Sequence, residues 1–222
     1  MLRTKEDYMK DLSKMKKNIY FDGEKIDRLD ERQMACINTI GYTYDVAEDP
    51  EFKDLMLVKS HLTGEIINRF THIHHSTEDL HKKQDMTRKL CQKVGGCIQR
   101  CMGCDAANAI YNVSYEADKV NKGETNYHEN FKKWLERFQK EDLVAACAQT
   151  DVEGDRIKHP ADQVDPDMYV HVVEKRNDGI IVRGCKVHIS EASVSDEILV
   201  VPTRALRKED KDYAVAFAVP AD

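Results

Sequence analysis

Hydrophobic positions in the first two thirds of the chain recur with the period of an α-helix, and no proline interrupts them between Pro50 and Pro160. Ser76, followed three residues later by Asp79, is typical of a capped helix N-terminus. A pair of glycines at 95–96 interrupts the helical pattern. We therefore predict helices over residues 4–15, 31–47, 76–94, 97–120 and 126–140.

Beyond Leu143 the pattern changes to short β-branched runs that are typical of strands. The runs 169–173 and 179–188 flank an Asn-Asp-Gly turn, which predicts a β-hairpin. Further strands are predicted at 143–150, 198–201 and 213–219.

The order of these elements predicts an α+β fold in two parts. We expect a mainly helical domain over residues 1–142 and part of a β-domain over residues 143–222. The last predicted strand is followed by nothing that would cover its edge. On that ground the sequence is expected to be a fragment of a longer protein.

The composition narrows the partners that we expect for this chain. Of its 222 residues, 41% are hydrophobic and 33% are charged, which is typical of a globular protein. The net charge of -6, from 34 basic and 40 acidic side chains, excludes a domain-wide basic surface for nucleic acid. The N-terminus is charged where a signal peptide would be apolar, and no run of about 18 apolar residues occurs. We therefore expect a cytoplasmic protein with no nucleic-acid or membrane partner.

Four of the seven cysteines fall between Cys91 and Cys104, a crowding that composition does not explain. An odd count without an export signal argues against a disulfide framework. In a continuous helix Cys97, Cys101 and Cys104 would share one face, because spacings of four and three residues return to the same side. Soft thiolates at this spacing suit an iron–sulfur cluster or zinc. The alternative is that they are small buried side chains.

Other metal and catalytic motifs are disfavoured. The cysteine spacing also matches the cluster motif of radical S-adenosylmethionine enzymes, but that motif lies in a loop, whereas a helix is predicted here. Zinc lacks a second Cys or His pair at the spacing of fingers or ribbons. His72, His74 and His75 precede the Ser76 cap, which is more typical of a polar loop than of a metal site. No dinucleotide, P-loop, nucleophile-elbow or zinc-protease motif occurs.

Seven segments in a fixed order carry the most specific signal of the sequence. They are LTGEIINRF at 62–70, HSTEDL at 75–80, CIQRC at 97–101, NYHENF at 126–131, TDVEGDR at 150–156, VEKRNDGIIVRGCKVH at 173–188 and DKDYAVAFA at 210–218. In this order the chain resembles the flavin-dependent 4-hydroxyphenylacetate 3-monooxygenase superfamily, and within it the 4-hydroxybutyryl-CoA dehydratase branch. The resemblance extends over essentially the whole chain.

The resemblance implies an acyl-CoA-dehydrogenase-like fold. Such a subunit has an N-terminal helical domain, a middle β-barrel-like domain and a C-terminal helical bundle, and it assembles as a homotetramer. This chain would hold the first domain and an incomplete second one, with the C-terminal bundle absent.

The resemblance also implies a 4Fe-4S cluster. Cys97 and Cys101 correspond to two of its thiolate ligands, whereas the remaining ligands, a histidine and a third cysteine, would lie outside this chain. Cys104 departs from close relatives, which carry a nonpolar residue there, and it is expected to be a buried neighbour. Arg88 corresponds to an active-site arginine of the family.

An FAD site is implied on the second part of the chain. The loop 150–156 would lie against FAD, where Gly154 allows close backbone approach and Arg156 offers a charge. A strand-end segment would face the flavin ring, and in it Ser190 replaces the threonine of close relatives while keeping the hydroxyl group. The candidate FAD residues are Gln149, Thr150, Gly154, Asp155, Arg156, Lys186, His188 and Ser190.

The function implied for the parent enzyme is dehydration of 4-hydroxybutyryl-CoA to crotonyl-CoA and isomerisation of vinylacetyl-CoA, with an acyl-CoA substrate and a flavin radical mechanism. Two alternatives remain open at this point. One is the oxygenase component of a flavin-dependent phenol hydroxylase, which would contain no iron. The other is a non-catalytic fragment, and the isolated chain is expected to be inactive.

Overall fold

Six helices and two short hairpins form the first 140 residues of the computed structural model, which describes residues 2–222. Helices α1 to α6 span Lys5–Lys14, Met34–Asp45, Lys53–Met56, Thr77–Val94, Cys101–Val120 and Tyr127–Lys140. Strands β1 to β4 span Ile19–Phe21, Glu24–Ile26, Leu57–Lys59 and Ile66–Asn68, and they pair in order as two antiparallel hairpins. The predicted helices are confirmed with shifted ends, whereas the helical pattern predicts neither α3 nor the hairpin of β3 and β4.

Helix α4 begins and ends where its caps predict. The Ser76 hydroxyl accepts a hydrogen bond from the Asp79 amide at 3.1 Å and donates one to the Asp79 carboxylate at 3.0 Å. At the other end Gly95 adopts the left-handed conformation, with a φ of 77°, that a helix C-cap favours. Both caps therefore fix the position of the connection that leads to the cysteines.

The periodicity predicts that helix α5 begins at Cys97, but in the structure it begins at Cys101. Gly96 has a φ of 154° and Gln99 a φ of 61°, and neither value allows an α-helix to continue. Cys97 therefore lies in the connection between α4 and α5. The prediction of a single helical stripe with three thiols is wrong for this reason, since only Cys101 and Cys104 share a helical face.

Residues 143–222 form a three-stranded sheet and a separate hairpin. Strands β5 to β9 span Ala145–Ala148, His171–Arg176, Gly179–Arg183, Glu197–Val200 and Phe217–Pro220. The sheet has the order β5-β8-β9, with β5 parallel and β9 antiparallel to β8. Strands β6 and β7 form the predicted hairpin, turned at Asn177 and Asp178. The predicted strand at 213–219 is shorter, because a 3-10 helix occupies Lys208–Tyr213 around the buried Asp210 carboxylate.

One hydrophobic cluster joins the helices to the sheet. Phe131, Leu135 and Phe138 on α6 pack in one core with Leu143 and with Leu199 on β8. The mixed helix-and-sheet fold is therefore confirmed, while the domain boundary after residue 142 stays a prediction. Among residues 2–222, no helix has the length and apolar character needed to cross a membrane.

Candidate active site

Cys97 and Cys101 lie where the connection after α4 meets the first turn of α5. Cys97 is exposed and Cys101 is half-buried. Burial raises the pKa of Cys101 to about 11, and the nearby negative charges, first that of Cys97, act in the same direction. Any metal ion that bound this thiol would have to displace its proton, because cysteine binds metals as the thiolate.

A lysine–aspartate pair lies beside the thiols. Lys83 on α4 forms an ion pair with Asp105 on α5. Burial alone would lower the pKa of Lys83, but the neighbouring thiols Cys104 and Cys101 and the Asp105 carboxylate raise it. Lys83 therefore keeps its positive charge, and that charge favours a thiolate at Cys101.

Neither Cys104 nor the histidine run completes a metal site. Cys104 is buried, its sulfur 4.0 Å from the Arg69 carbonyl oxygen and 3.8 Å from the Asn108 amide, which confirms the expectation of a buried neighbour. His72 is also buried, which corrects the prediction of a polar loop, and burial lowers its pKa to about 4. Its Nε2 lies 3.2 Å from an Asp79 carboxylate oxygen. Within residues 2–222, no three His, Cys, Asp or Glu side chains converge on a possible metal position.

The residue before Cys101 anchors the start of α5 in the interior. Arg100 is buried, and its guanidinium donates hydrogen bonds to the Asp142 carboxylate at 2.9 Å and to the Thr43 hydroxyl at 3.0 Å. Its central carbon lies 4.6 Å from the centre of the Tyr44 ring. A buried ion pair with Asp142, which directly precedes the sheet region, therefore holds the backbone of Cys101.

The loop after β5 carries five of the predicted FAD residues. These are Gln149, Thr150, Gly154, Asp155 and Arg156, of which Thr150 is half-buried and the others are exposed. Gly154 has a φ of 54°, and a Cβ there would collide with the Met168 and Gln163 side chains. Arg156 is exposed and pairs with Glu153 at 2.8 Å. The loop therefore needs its glycine for the positive φ, and it presents the Arg156 charge at the surface.

Lys186 joins this loop to the second predicted FAD segment. Its ammonium donates hydrogen bonds to the backbone oxygens of Gln149 at 2.8 Å and Val201 at 2.9 Å. It also forms an ion pair with Asp151 at 2.7 Å, beside the β-bridge between the same two residues. The structure thus brings the loop 149–156 and the segment 186–190 together, and it uses the Lys186 charge for internal bonds.

The end of the second segment reaches the cysteines. His188 and Ser190 are exposed, and their side chains form no hydrogen bond with any of residues 2–222. Glu191 follows them and is buried close enough to Cys101 on α5 and Cys147 on β5 for its negative charge to raise the pKa of both thiols. Glu191, which directly follows the predicted FAD segment, therefore lies near the predicted cluster ligand Cys101.

Arg88 lies apart from this bonded network. It is exposed on α4, two residues from each of the buried Met86 and Leu90, and therefore on the opposite face of the helix. Its side chain forms no ion pair or hydrogen bond within residues 2–222. The assignment of Arg88 to the active site stays a prediction.

Sequence patterns miss three residues of this site: Arg100, Cys147 and Glu191. Arg100 adjoins Cys101, but adjacency does not show that its charge is buried and paired. Cys147 and Glu191 belong to no motif and meet α5 only because the chain folds back on itself. Their positions become visible only in three dimensions.

The sequence profile of the family described as "4-hydroxyphenylacetate 3-hydroxylase N terminal" matches residues 4–222. The chain belongs to this family. It is 46% identical, over its full length, to the 4-hydroxybutyryl-CoA dehydratase/vinylacetyl-CoA-Delta-isomerase of Clostridium aminobutyricum, of which it covers 45%. It is 26% identical to the 4-hydroxyphenylacetate 3-monooxygenase oxygenase component of Thermus thermophilus, over 99% of the chain and 44% of that protein. The predicted resemblance is therefore confirmed.

Among solved structures too, a dehydratase matches the chain more closely than a monooxygenase component does. An oxygen-tolerant archaeal 4-hydroxybutyryl-CoA dehydratase from N. maritimus superimposes with a TM-score of 0.94 at 37% identity, covering 100% of the chain and 44% of that structure. The oxygenase component of 4-hydroxyphenylacetate 3-monooxygenase in complex with FAD gives a TM-score of 0.77 at 27% identity, over 99% of the chain and 44% of that structure. The chain thus spans less than half the length of these relatives.

Proposed function

We propose that the protein is a flavin-dependent enzyme that dehydrates 4-hydroxybutyryl-CoA to crotonyl-CoA and isomerises vinylacetyl-CoA. The observation that carries this proposal is the difference between two groups of relatives. The dehydratases match at 46% identity in sequence and a TM-score of 0.94 in structure. The monooxygenases match at 26% identity and a TM-score of 0.77.

The proposal includes an acyl-CoA-dehydrogenase-like subunit that binds an acyl-CoA and assembles as a cytoplasmic homotetramer. The chain supplies the helical part of this subunit and a portion of the middle β-domain. The coverage of 44 to 45% of the relatives supports a larger parent subunit. Its remaining part is proposed to include a C-terminal helical bundle.

In this proposal Cys97 and Cys101 supply two thiolate ligands of a 4Fe-4S cluster. Their fit is supported by two adjacent sulfurs of which one is exposed and one half-buried, and by the Lys83 charge beside them. The other two ligands lie outside residues 2–222. When bound, the cluster supplies a Lewis acid for the departing hydroxyl group.

The loop 149–156 and the segment 186–190 form the FAD surface in the same proposal. Ser190 and His188 offer exposed polar groups that form no hydrogen bond within residues 2–222, which suits hydrogen bonds to a cofactor. Lys186 holds the two segments together through Gln149 and Asp151, so its role here is to position the surface. When bound, FAD supplies the one-electron chemistry that acidifies an unactivated C–H bond.

The test is purification of the protein from its complete coding sequence without oxygen. We expect FAD, iron and acid-labile sulfide, together with turnover of vinylacetyl-CoA and 4-hydroxybutyryl-CoA. Cys97→Ser and Cys101→Ser are expected to lose iron, whereas Cys36→Ser, at a half-buried thiol on α2, keeps it.

Two results would contradict the proposal. Hydroxylation of a phenol with reduced flavin and oxygen, by protein that contains no iron, would favour the monooxygenase alternative. Absence of any turnover by the complete protein would favour a non-catalytic role. If the proposal holds, the isolated 222-residue chain is expected to be inactive, because only two of the proposed cluster ligands lie in it.

A further inference from the structure

One side of helix α5 carries large apolar side chains that the described part of the chain leaves in contact with water. Met102 is 46% exposed, Val113 66% and Val120 76%. Spacings of eleven and seven residues return to the same side of a helix, so these three side chains form a line about 27 Å long, here called the α5 stripe. Ala109 and Glu116 are also exposed on this line.

The α5 stripe has the spacing of a contact between two helices. Single exposed apolar side chains are common on protein surfaces, but a line of them along a helix is typical of the seam on which a second helix packs. Valine also has a lower helix propensity than the lysine or glutamate common on exposed helices. Val113 and Val120 therefore lower the stability of α5 unless something covers them.

The rest of α5 already has its partners. Gly103, Cys104 and Ala107 lie on the buried side of the helix, which packs against the core. On the polar side Asp105 forms an ion pair with Lys83. Within residues 2–222, the α5 stripe is thus an apolar side of this helix that no other element covers.

The α5 stripe begins directly beside a proposed cluster ligand, since Met102 follows Cys101. In the proposed function, two further ligands of the cluster lie outside residues 2–222. All ligands of one cluster surround a single group of iron atoms, so the segment that carries the other two must approach the first turn of α5. The relatives provide the length for such a segment, because the chain covers only 44 to 45% of them.

We propose that the α5 stripe is the docking surface for a helix from the part of the parent subunit outside residues 1–222. This helix presents an apolar face at matching spacing, and it holds the remaining cluster ligands beside Cys97 and Cys101. The inference rests on the proposed function, since the longer subunit and its cluster belong to that proposal.

The first experiment places charges on the α5 stripe of the protein from its complete coding sequence, purified without oxygen. The double variant Val113→Glu/Val120→Glu is expected to melt at least about 2 °C below wild type and to lose iron, because docking would bury two unpaired charges. The conservative double variant Val113→Ile/Val120→Ile and the control Leu80→Glu, at a position 55% exposed on α4, are expected to stay near wild type in both measurements.

The second experiment identifies what covers the α5 stripe. Lys119 is exposed on α5 beside Val120, so an amine-reactive cross-linker reports its neighbours. In the monomer band of a denaturing gel, mass spectrometry is expected to find Lys119 joined to a lysine outside residues 1–222. This cross-link is expected to weaken in Val113→Glu/Val120→Glu.

Three results would overturn the proposal. The first is a glutamate double variant with the melting temperature and iron content of wild type. The second is an equal loss of both in Leu80→Glu, since the effect would then not belong to the α5 stripe. The third is a cross-link between two Lys119 side chains, which forms only between two copies of the chain and would assign the α5 stripe to a second copy.

Failure of the docking and failure of the proposed function give different results. A wild type with iron and turnover, whose α5 stripe tolerates the two glutamates, would contradict the docking alone. A wild type without iron or turnover, in which the glutamates still lower the melting temperature and weaken the Lys119 cross-link, would support the docking and contradict the proposed function.

Discussion

Arg100 places a positive charge in the interior, next to a proposed cluster ligand, and the surrounding side chains account for its position. The Asp142 carboxylate pairs with it, the Thr43 hydroxyl accepts a hydrogen bond and the Tyr44 ring covers it. A buried ion pair contributes little net stability against an apolar pair, but loss of one partner leaves an uncompensated charge. The role of the Arg100–Asp142 pair is to fix the backbone at Cys101.

Arg100→Met is expected to lower the free energy of unfolding by about 3–5 kcal/mol, because the Asp142 carboxylate would stay buried without its cation. Urea denaturation followed by circular dichroism measures this change. The double variant with Asp142→Asn is expected to recover part of the loss, and Arg176→Met, at an exposed pair, to change little. A double variant as unstable as the single one would show that the charge of Asp142 is not the cause.

The protonation of Glu191 also predicts a pH dependence of stability. Its carboxyl group has an ordinary pKa of 4.5 and, in the folded protein, a pKa of about 8. Between these values the folded state binds more protons than the unfolded state, so the free energy of unfolding falls as pH rises. The full stabilisation is present below pH 4.5, and it is lost as pH rises through 8.

Wild type is therefore expected to lose stability relative to Glu191→Gln between pH 4.5 and 8, by about 1.4 kcal/mol for each unit of the realised pKa shift. Melting temperatures of both proteins across this range measure the difference. Parallel curves would show that Glu191 is ionised at neutral pH. Glu174→Gln, at an exposed carboxylate, serves as the control and is expected to follow wild type.

At the scale of secondary structure, the sequence predicts those helix ends and turns that depend on the residues at that position alone. The Ser76 cap, the Gly95 C-cap and the Asn177-Asp178 turn appear in the sequence as they do in the structure. The start of α5 is not predictable in this way, because Gln99 adopts a positive φ that its residue type disfavours. For the same reason the thiol spacing suggests one helical stripe where the structure has a bend.

The packing of α5 on β5 depends on Gly103, although glycine has a low helix propensity. A Cβ at this position would collide with the carbonyl group of Ala145. Gly103→Ala is therefore expected to destabilise the protein, although alanine gains about 1 kcal/mol in helix propensity. Chemical denaturation measures the change.

The control for helix propensity is Ala109→Gly, on the exposed part of α5, which is expected to cost about 1 kcal/mol. A stabilised Gly103→Ala variant would mean that α5 and β5 can move apart without cost. If the Gly103→Ala variant also loses iron from the proposed cluster site, the close contact between Gly103 and Ala145 positions Cys101 as well.

At the scale of the whole molecule, hydrogen bonds join the helical part to the sheet part, in addition to the common hydrophobic core. Arg3, ahead of α1, donates hydrogen bonds to the Asp196 carboxylate at 2.7 and 2.9 Å. The Tyr8 hydroxyl on α1 donates one to the Val194 carbonyl at 2.6 Å. The sequence predicts the helical and strand-rich parts, but not these contacts, since they join residues that are far apart in the chain.

We therefore expect the two parts to unfold together. Differential scanning calorimetry of the protein should give one transition whose calorimetric and van't Hoff enthalpies agree. Arg3→Met is expected to lower the midpoint without splitting the transition. Two separate transitions would show that the boundary after residue 142 divides independent folding units.

The position of Trp134 has a practical consequence. It is the single tryptophan of the chain, and its indole stacks on Phe138 with 4.7 Å between ring centres, against the core that α6 shares with β8. The tryptophan fluorescence of the chain therefore comes from one place, the interface between the helices and the sheet. Without any added label, a red shift would report water entering this region. Melting confined to the β6–β7 hairpin, which contributes no residue to this core, would leave the emission unchanged.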